Sequence, residues 1–266
     1  MQNKLVKEYY NWFNSYVKNF YGEDQIVNQN IELKEIHTLK VAKHAVNIAK
    51  SLNLTEEEES IAEIIGLFHD IGRFEQFKEY KTFRDDISIN HATLGIKILD
   101  ENSILKDLDK DWIKIIFKAI SVHNTKDIPH DLNKKETLFC KLIRDADKLD
   151  IFRVIIDYEK EREKDPNPAI DNLPFTSGYN KELLEDIKAN RKISNKSLNN
   201  YNDRKLYELN WITDLNFPFS INYIKEKNIL NTLISCLPKN EEINKVSNYL
   251  EQYLENFIMN YNIEGM

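Results

Sequence analysis

His69 and Asp70 sit side by side where the apolar run Ile61-Ala-Glu-Ile-Ile-Gly-Leu-Phe68 gives out. A histidine–aspartate pair can share one metal ion. In mid-helix the two side chains would diverge by about 100°, so the pair needs a helix end. Four further residues of ligand type stand in order around it, His37 upstream and His91, His123 and Asp147 downstream. A mixed histidine/carboxylate shell suits Fe, Mn, Co, Ni or Zn, whereas an all-oxygen shell suits Mg or Ca. Such ions lower the pKa of bound water and neutralise phosphoryl oxygens, the two obstacles to hydrolysing an anionic ester at neutral pH.

The elements that must position these residues are helices. Six glycines and six prolines in 266 residues are too few for the turns of a β-rich fold. Tyr9, Trp12, Phe13, Tyr16, Val17 and Phe20 form a three/four-spaced stripe over 3–21, as expected of a core-facing helix. A second helix is expected over 33–52, with Leu39, Ala42, Val46 and Ala49 on one face and His37 near its start. Thr55 and Glu58 make a capping box for the third, which Gly72 is expected to end as a C′ glycine. Helices follow over 90–100, 111–122 and 136–150, then 181–190, about 201–215, 218–236 and 240–260. Antiparallel packing of the second and third helices would set His37 beside His69 and Asp70. His91 begins a helix, His123 closes one, and Asp147 lies near the end of another. Each candidate ligand is therefore expected at a helix end, next to core residues.

The ordered set His37 … His69-Asp70 … Asp147 resembles the HD-domain superfamily of metal-dependent phosphohydrolases. The resemblance rests on His37-Thr-Leu-Lys-Val-Ala-Lys-His-Ala-Val-Asn-Ile-Ala49, His69-Asp-Ile-Gly-Arg73 and Asp145-Ala-Asp-Lys-Leu-Asp150, and covers about 30–160. It implies an all-α helical bundle, a single HD-type domain over 1–266. An N-terminal helix (1–24) and C-terminal helices (181–262) would pack on the core. It implies one metal on His37, His69, Asp70 and Asp147, and a second that shares Asp70 and takes His91 and His123. A bridging water or hydroxide would attack phosphorus. The substrate would be a phosphate ester, a nucleotide or another small phosphorylated metabolite. The HD-GYP subgroup has lysine at Arg73, a second histidine at Asn124 and a Gly-Tyr-Pro motif that is absent here, which argues against cyclic di-GMP. The same ligands would also serve a di-iron oxygenase of this fold, and a non-catalytic regulatory HD module is the remaining alternative.

Around the ligands, Asp145 and Asp150 compete with Asp147 on spacing alone, and the resemblance favours Asp147. Phosphate calls for cations, preferably an arginine fork. Arg73, one tight turn beyond the ligand pair, is the first choice; Arg84 and Lys148 follow, Lys148 serving equally well as a helix cap or a partner of Asp145. Asp70, Arg73 and Lys148 are thus the expected catalytic group. His44 reads as a neighbour of the site or a surface residue, and His130 as solvated. Residues 165–180, the one long Pro/Gly-bearing loop, read equally well as a lid or a connector.

A net charge of −7 gives no basic stripe for nucleic acid. Cys140 and Cys236 imply no disulfide framework. No apolar run is long enough to span a membrane and the first residues lack a signal-peptide core. The expected protein is cytoplasmic, and its aromatic N-terminal stripe and C-terminal helices could form the surface of a homo-oligomer.

Overall fold

The computed structural model describes residues 2–161 and 173–264, and all regular structure among them is helical. In order these are α1 (Gln2–Lys18), α2 (Gln25–Ser51), α3 (Glu56–Phe68), α4 (Gly72–Tyr80), α5 (His91–Glu101), α6 (Lys110–Val122) and α7 (Lys134–Glu161). Then come α8 (Lys181–Lys188), α9 (Tyr201–Asn210), α10 (Pro218–Glu226), α11 (Ile229–Ser235) and α12 (Glu241–Glu264). The chain divides into two compact units, Met1–Asp150 and Ile151–Met266. Among the described residues no helix is long and apolar enough to cross a membrane.

In the first unit α2 and α3 form the closest helix pair. Gly66 makes this possible: a Cβ there would meet the Ala42 Cα at 2.6 Å. The capping box of Thr55 and Glu58 forms as expected and opens α3. The thirteen residues of α3 run about 20 Å back along α2, which brings the end of α3 level with the middle of α2. The aromatic stripe of α1 and the residues just after it packs on α3 and α4. Tyr9 meets Phe68 edge-on at 5.7 Å, and Phe13 and Phe20 meet Phe74 at 5.9 and 5.8 Å. Tyr9, Phe13, Val17 and Phe20 are buried in this contact.

Four expectations need correction. α2 begins at Gln25, about two turns earlier than expected, capped by the Asp24 carboxylate, which accepts from the Ile26 and Val27 amides. The stretch 25–32 is mostly polar, but its core contacts are Val27, Asn30 and Ile31, enough at helical spacing to carry the turn. α7 runs on to Glu161 rather than stopping near 150. Gly72 does not end α3 in a left-handed conformation, since no described glycine has a positive φ. It starts α4, a helix the sequence reading does not contain. His69 and Ile71 stay in right-handed helical space, so α3 passes into α4 through one compact turn. Gly72 is required by crowding: a Cβ would lie 2.2 Å from the His91 carbonyl oxygen and 2.7 Å from the Gly95 amide nitrogen. Finally, 218–236 is two helices, divided where Asn228 takes φ 52°.

In the second unit the Asp203 carboxylate is buried, accepting the amides of Asn180 and Asn199 and so tying the start of α8 to α9. Residues 165–172 of the expected loop fall in part of the chain outside the described residues. Residues 173–180 have no regular structure and are tethered to α9, with Tyr201 N–H donating to the Pro174 carbonyl and Asn202 Nδ2 to those of Thr176 and Gly178.

Candidate metal centre

The first unit brings all six expected ligands together. His69 caps α3 and Asp70 follows in the turn to α4; His91 is the first residue of α5; His123 caps α6. His37 and Asp147 depart from expectation. Because α2 starts earlier and α7 ends later, both lie in helix interiors rather than at helix ends. Three groups of ligand atoms lie within 4.8 Å of one another: His37/His69/Asp70, His69/His123/Asp147 and Asp70/His91/His123.

Asp70 stands at the centre. Its Oδ2 faces the Nε2 atoms of His37 and His69 at 3.7 and 3.8 Å. Its Oδ1 faces those of His91 and His123 at 3.2 and 3.6 Å. Asp147 Oδ1 completes the first set, 3.1 Å from His37 Nε2 and 3.5 Å from His69 Nε2. The four imidazoles and Asp70 are buried.

Each imidazole is held by its other nitrogen. His69 Nδ1 donates to the Gly66 carbonyl at 2.8 Å and His123 Nδ1 to the Ile120 carbonyl at 2.7 Å, the same three-residue reach at two helix ends. His37 Nδ1 pairs with Asp150 Oδ2 at 2.8 Å and His91 Nδ1 with Asp85 Oδ2 at 2.7 Å. A carbonyl or carboxylate can only accept, so Nδ1 carries the hydrogen and Nε2 presents a lone pair. Carboxylate- or carbonyl-held imidazoles of this kind are the usual supports of metal ligands.

These residues fit a metal. Among the described residues, His37 Nε2 and His69 Nε2 are buried without a hydrogen-bond partner. The Nε2 atoms of His91 and His123 face each other at 2.9 Å. Two lone pairs at that distance repel unless a cation lies beside them. Burial pushes the His123 imidazole down to about 4, against the pull of Asp70, so a proton is poorly accepted there. At His37, burial and Lys34 push the imidazole down, but Asp147 and Asp150 outweigh them and raise it: that end of the cluster favours positive charge. Burial alone would raise the Asp70 carboxyl; the Lys34 ammonium first, then His69 and Arg73, hold it well below the ordinary carboxylate range.

Residues the sequence reading passed over complete the site. Lys34 Nζ lies 2.7 Å from Asp70 Oδ2; its signal was its position one turn before His37. Asp85, in the 3-10 turn between α4 and α5, accepts from Arg73 Nη1, Gln76 Nε2 and Asn124 Nδ2, each at 2.9 Å, besides His91. Burial pushes its carboxyl up, but His91, Arg73 and Gln76 bring it well down. Nothing in the polar stretch Thr82-Phe-Arg-Asp-Asp86 distinguishes Asp85 from its solvated neighbour Asp86. Arg144 is buried and donates to the carbonyls of Val122, Thr125 and Lys126, fixing the turn behind His123. Asp150, a rival for ligation on spacing alone, supports His37 instead.

The expected cations divide. Arg73 Nε lies 3.4 Å from Asp70 Oδ1, and its Nη1 donates to Gln76, the Phe83 carbonyl and Asp85. Arg84 forks the Asp86 carboxylate, both exposed, away from the cluster. Lys148 is buried with Nζ 3.5 Å from the Arg144 carbonyl of its own helix, a contact that does not bring it to Asp70. His44 is half-buried and in none of the ligand groups; His130 is exposed.

No curated protein and no solved structure matches the chain. The family model of the HD domain matches residues 35–151, a stretch that contains all six clustered ligands. That match identifies residues 35–151 as an HD domain.

Proposed function

We propose that the protein is a metal-dependent phosphohydrolase with two metals per chain, acting on a phosphate ester of a nucleotide or similar small metabolite. HD domains are usually metal-dependent phosphohydrolases, and the buried histidine/aspartate cluster is compatible with divalent ions. One observation carries the dinuclear reading: the two oxygens of Asp70 face different histidine pairs, His37/His69 and His91/His123. The first ion would take His37, His69, Asp70 and Asp147, the second Asp70, His91 and His123. The donor set suits Fe, Mn, Co, Ni or Zn. When bound, such ions supply an activated water and neutralise phosphoryl charge.

The chain's own residues do the rest. Asp70 holds the two ligand sets in register. The lone pairs of four imidazoles are fixed before any ligand arrives, which lowers the cost of ordering the site. Arg73 holds phosphoryl oxygens. Its Nη1 is anchored three times, and among the described residues no hydrogen bond uses its Nη2, so one arm of a rigid fork is kept for an oxyanion. Lys148, the weaker expectation, has no comparable support. The substrate is a small molecule on this reading, with no nucleic-acid surface or membrane required, in a cytoplasmic setting. A homo-oligomer is compatible with it.

The test is metal content by mass spectrometry on protein purified without chelator, followed by a panel of phosphate mono- and diesters. About two equivalents per chain are expected for the unaltered protein, and about one after His91→Ala with His123→Ala. Asp70→Ala should lose both metal and turnover. Full stoichiometry in the double variant would end the dinuclear reading. A fully loaded protein that turns over no ester would leave the regulatory module.

A further inference from the structure

Lys34 occupies an unusual position for a lysine beside a metal-ligand cluster. Its ammonium touches Asp70 Oδ2 at 2.7 Å, the same oxygen that faces His37 and His69. The Asp70 side chain is 4% exposed and that of Lys34 17%, so the lysine approaches from the solvent side. Two cations cannot both hold that oxygen at bonding distance without strong repulsion in a buried site.

The two cations on Asp70 are built differently. Arg73 approaches Oδ1 with its guanidinium pinned by Gln76, Phe83 and Asp85. Lys34 has no other ion pair among the described residues and reaches in on a flexible stem. The Phe83 ring lies 5.3 Å from its Nζ, a second partner for an ammonium already within reach. One cation is fixed and the other can leave.

We infer that Lys34 is a resident counter-ion: it neutralises the Asp70 carboxylate while the site holds no metal, and the first metal displaces it. This rests on the reading of Asp70 as a metal ligand. Lys34 then sets a threshold for metal loading, because every ion that binds must first break its contact with Asp70.

Two measurements test it. Competition with a chelator of known affinity, using Mn²⁺ and then Zn²⁺, gives the affinity of the first equivalent. Lys34→Met should tighten it by about ten-fold or more, and Lys34→Arg should not tighten it. Unchanged or weaker binding by folded Lys34→Met overturns the inference. The second measurement needs no variant. Amine acylation of the unaltered protein, mapped by mass spectrometry, should label Lys34 slowly without metal and several-fold faster once Mn²⁺ or Zn²⁺ is added. Equal labelling overturns the inference. Neither readout depends on turnover, so a protein that behaves as expected here yet cleaves no ester would sink the hydrolase reading and leave Lys34 in place.

Discussion

Asp85 shows how much of the candidate metal centre lies outside its ligand-type residues. Its carboxylate orients His91, anchors Arg73 and gathers Gln76 and Asn124. Replacing it by asparagine keeps the shape and removes the charge that fixes the His91 ring. Asp85→Asn is expected to weaken binding of the second metal by about ten- to a hundred-fold, read by titration of metal-free protein, with the first equivalent little changed. Equal loss at both sites would mean that Asp85 acts on the fold rather than on His91. Asp85 also marks the limit of the sequence. The clustered histidines were legible because histidines at the margins of apolar runs are few and their order matched a known pattern. Asp85 and Lys34 were not, because an acidic residue in a polar loop and a lysine on a helix face are ordinary features until the fold brings them to a shared partner. Only the resemblance prefers Asp147 to Asp145 and Asp150; in the structure Asp150 takes the far side of His37, and Asp147 rather than Asp145 lies in a group of ligand-type atoms with His69 and His123.

The α3–α4 turn and the start of α5 touch through backbone at Gly72. A methyl group there would push against the His91 carbonyl and the Gly95 amide, neither of which is a movable side-chain tip. Gly72→Ala should destabilise the protein by about 3 kcal/mol and also displace His91 from Asp70. Chemical denaturation measures the first, and metal stoichiometry of the surviving folded protein the second. Tolerance of alanine with full metal content would contradict the contact. The helices themselves were largely legible, α3 and α6 best, since an apolar periodic run makes each. Their boundaries were less so. α2 starts inside a polar stretch and α7 outlasts its apolar register, so periodicity lost both ends and put His37 and Asp147 at helix termini. α4, short and rich in charged residues, gave no periodic signal; packing of Phe74 and Phe77 in the core holds it.

At the scale of the whole molecule, proton linkage of the buried cluster should appear in stability. His123 has an ordinary value of 6.5 that burial pushes down to about 4. Between these values the unfolded chain binds the proton and the folded chain does not. The contribution is therefore present above 6.5 and lost as pH falls towards 4. Thermal scans of metal-free protein should show a larger loss between pH 6.5 and 4 than scans of His123→Gln. Equal slopes would remove His123 as the source. His37 works in the opposite sense, its raised value adding stability that fades as pH rises through it, and the comparison with the variant cancels it. We propose that the same scans show one cooperative transition, as a single domain over the whole chain requires.

The two carbonyl-held histidines have one more consequence. Gly66 and Ile120 lie in the last turns of α3 and α6, where carbonyls lack helical partners, and the rings of His69 and His123 satisfy them. Each ring closes the end of its helix with one nitrogen and turns the other to the candidate metal centre. With His69 and His123 as ligands, fraying of either helix end would remove one, and a bound ion would oppose that fraying. Local breathing at two helix termini and escape of a metal would then be the same motion, and the residence time of the ion would follow how often these last turns open.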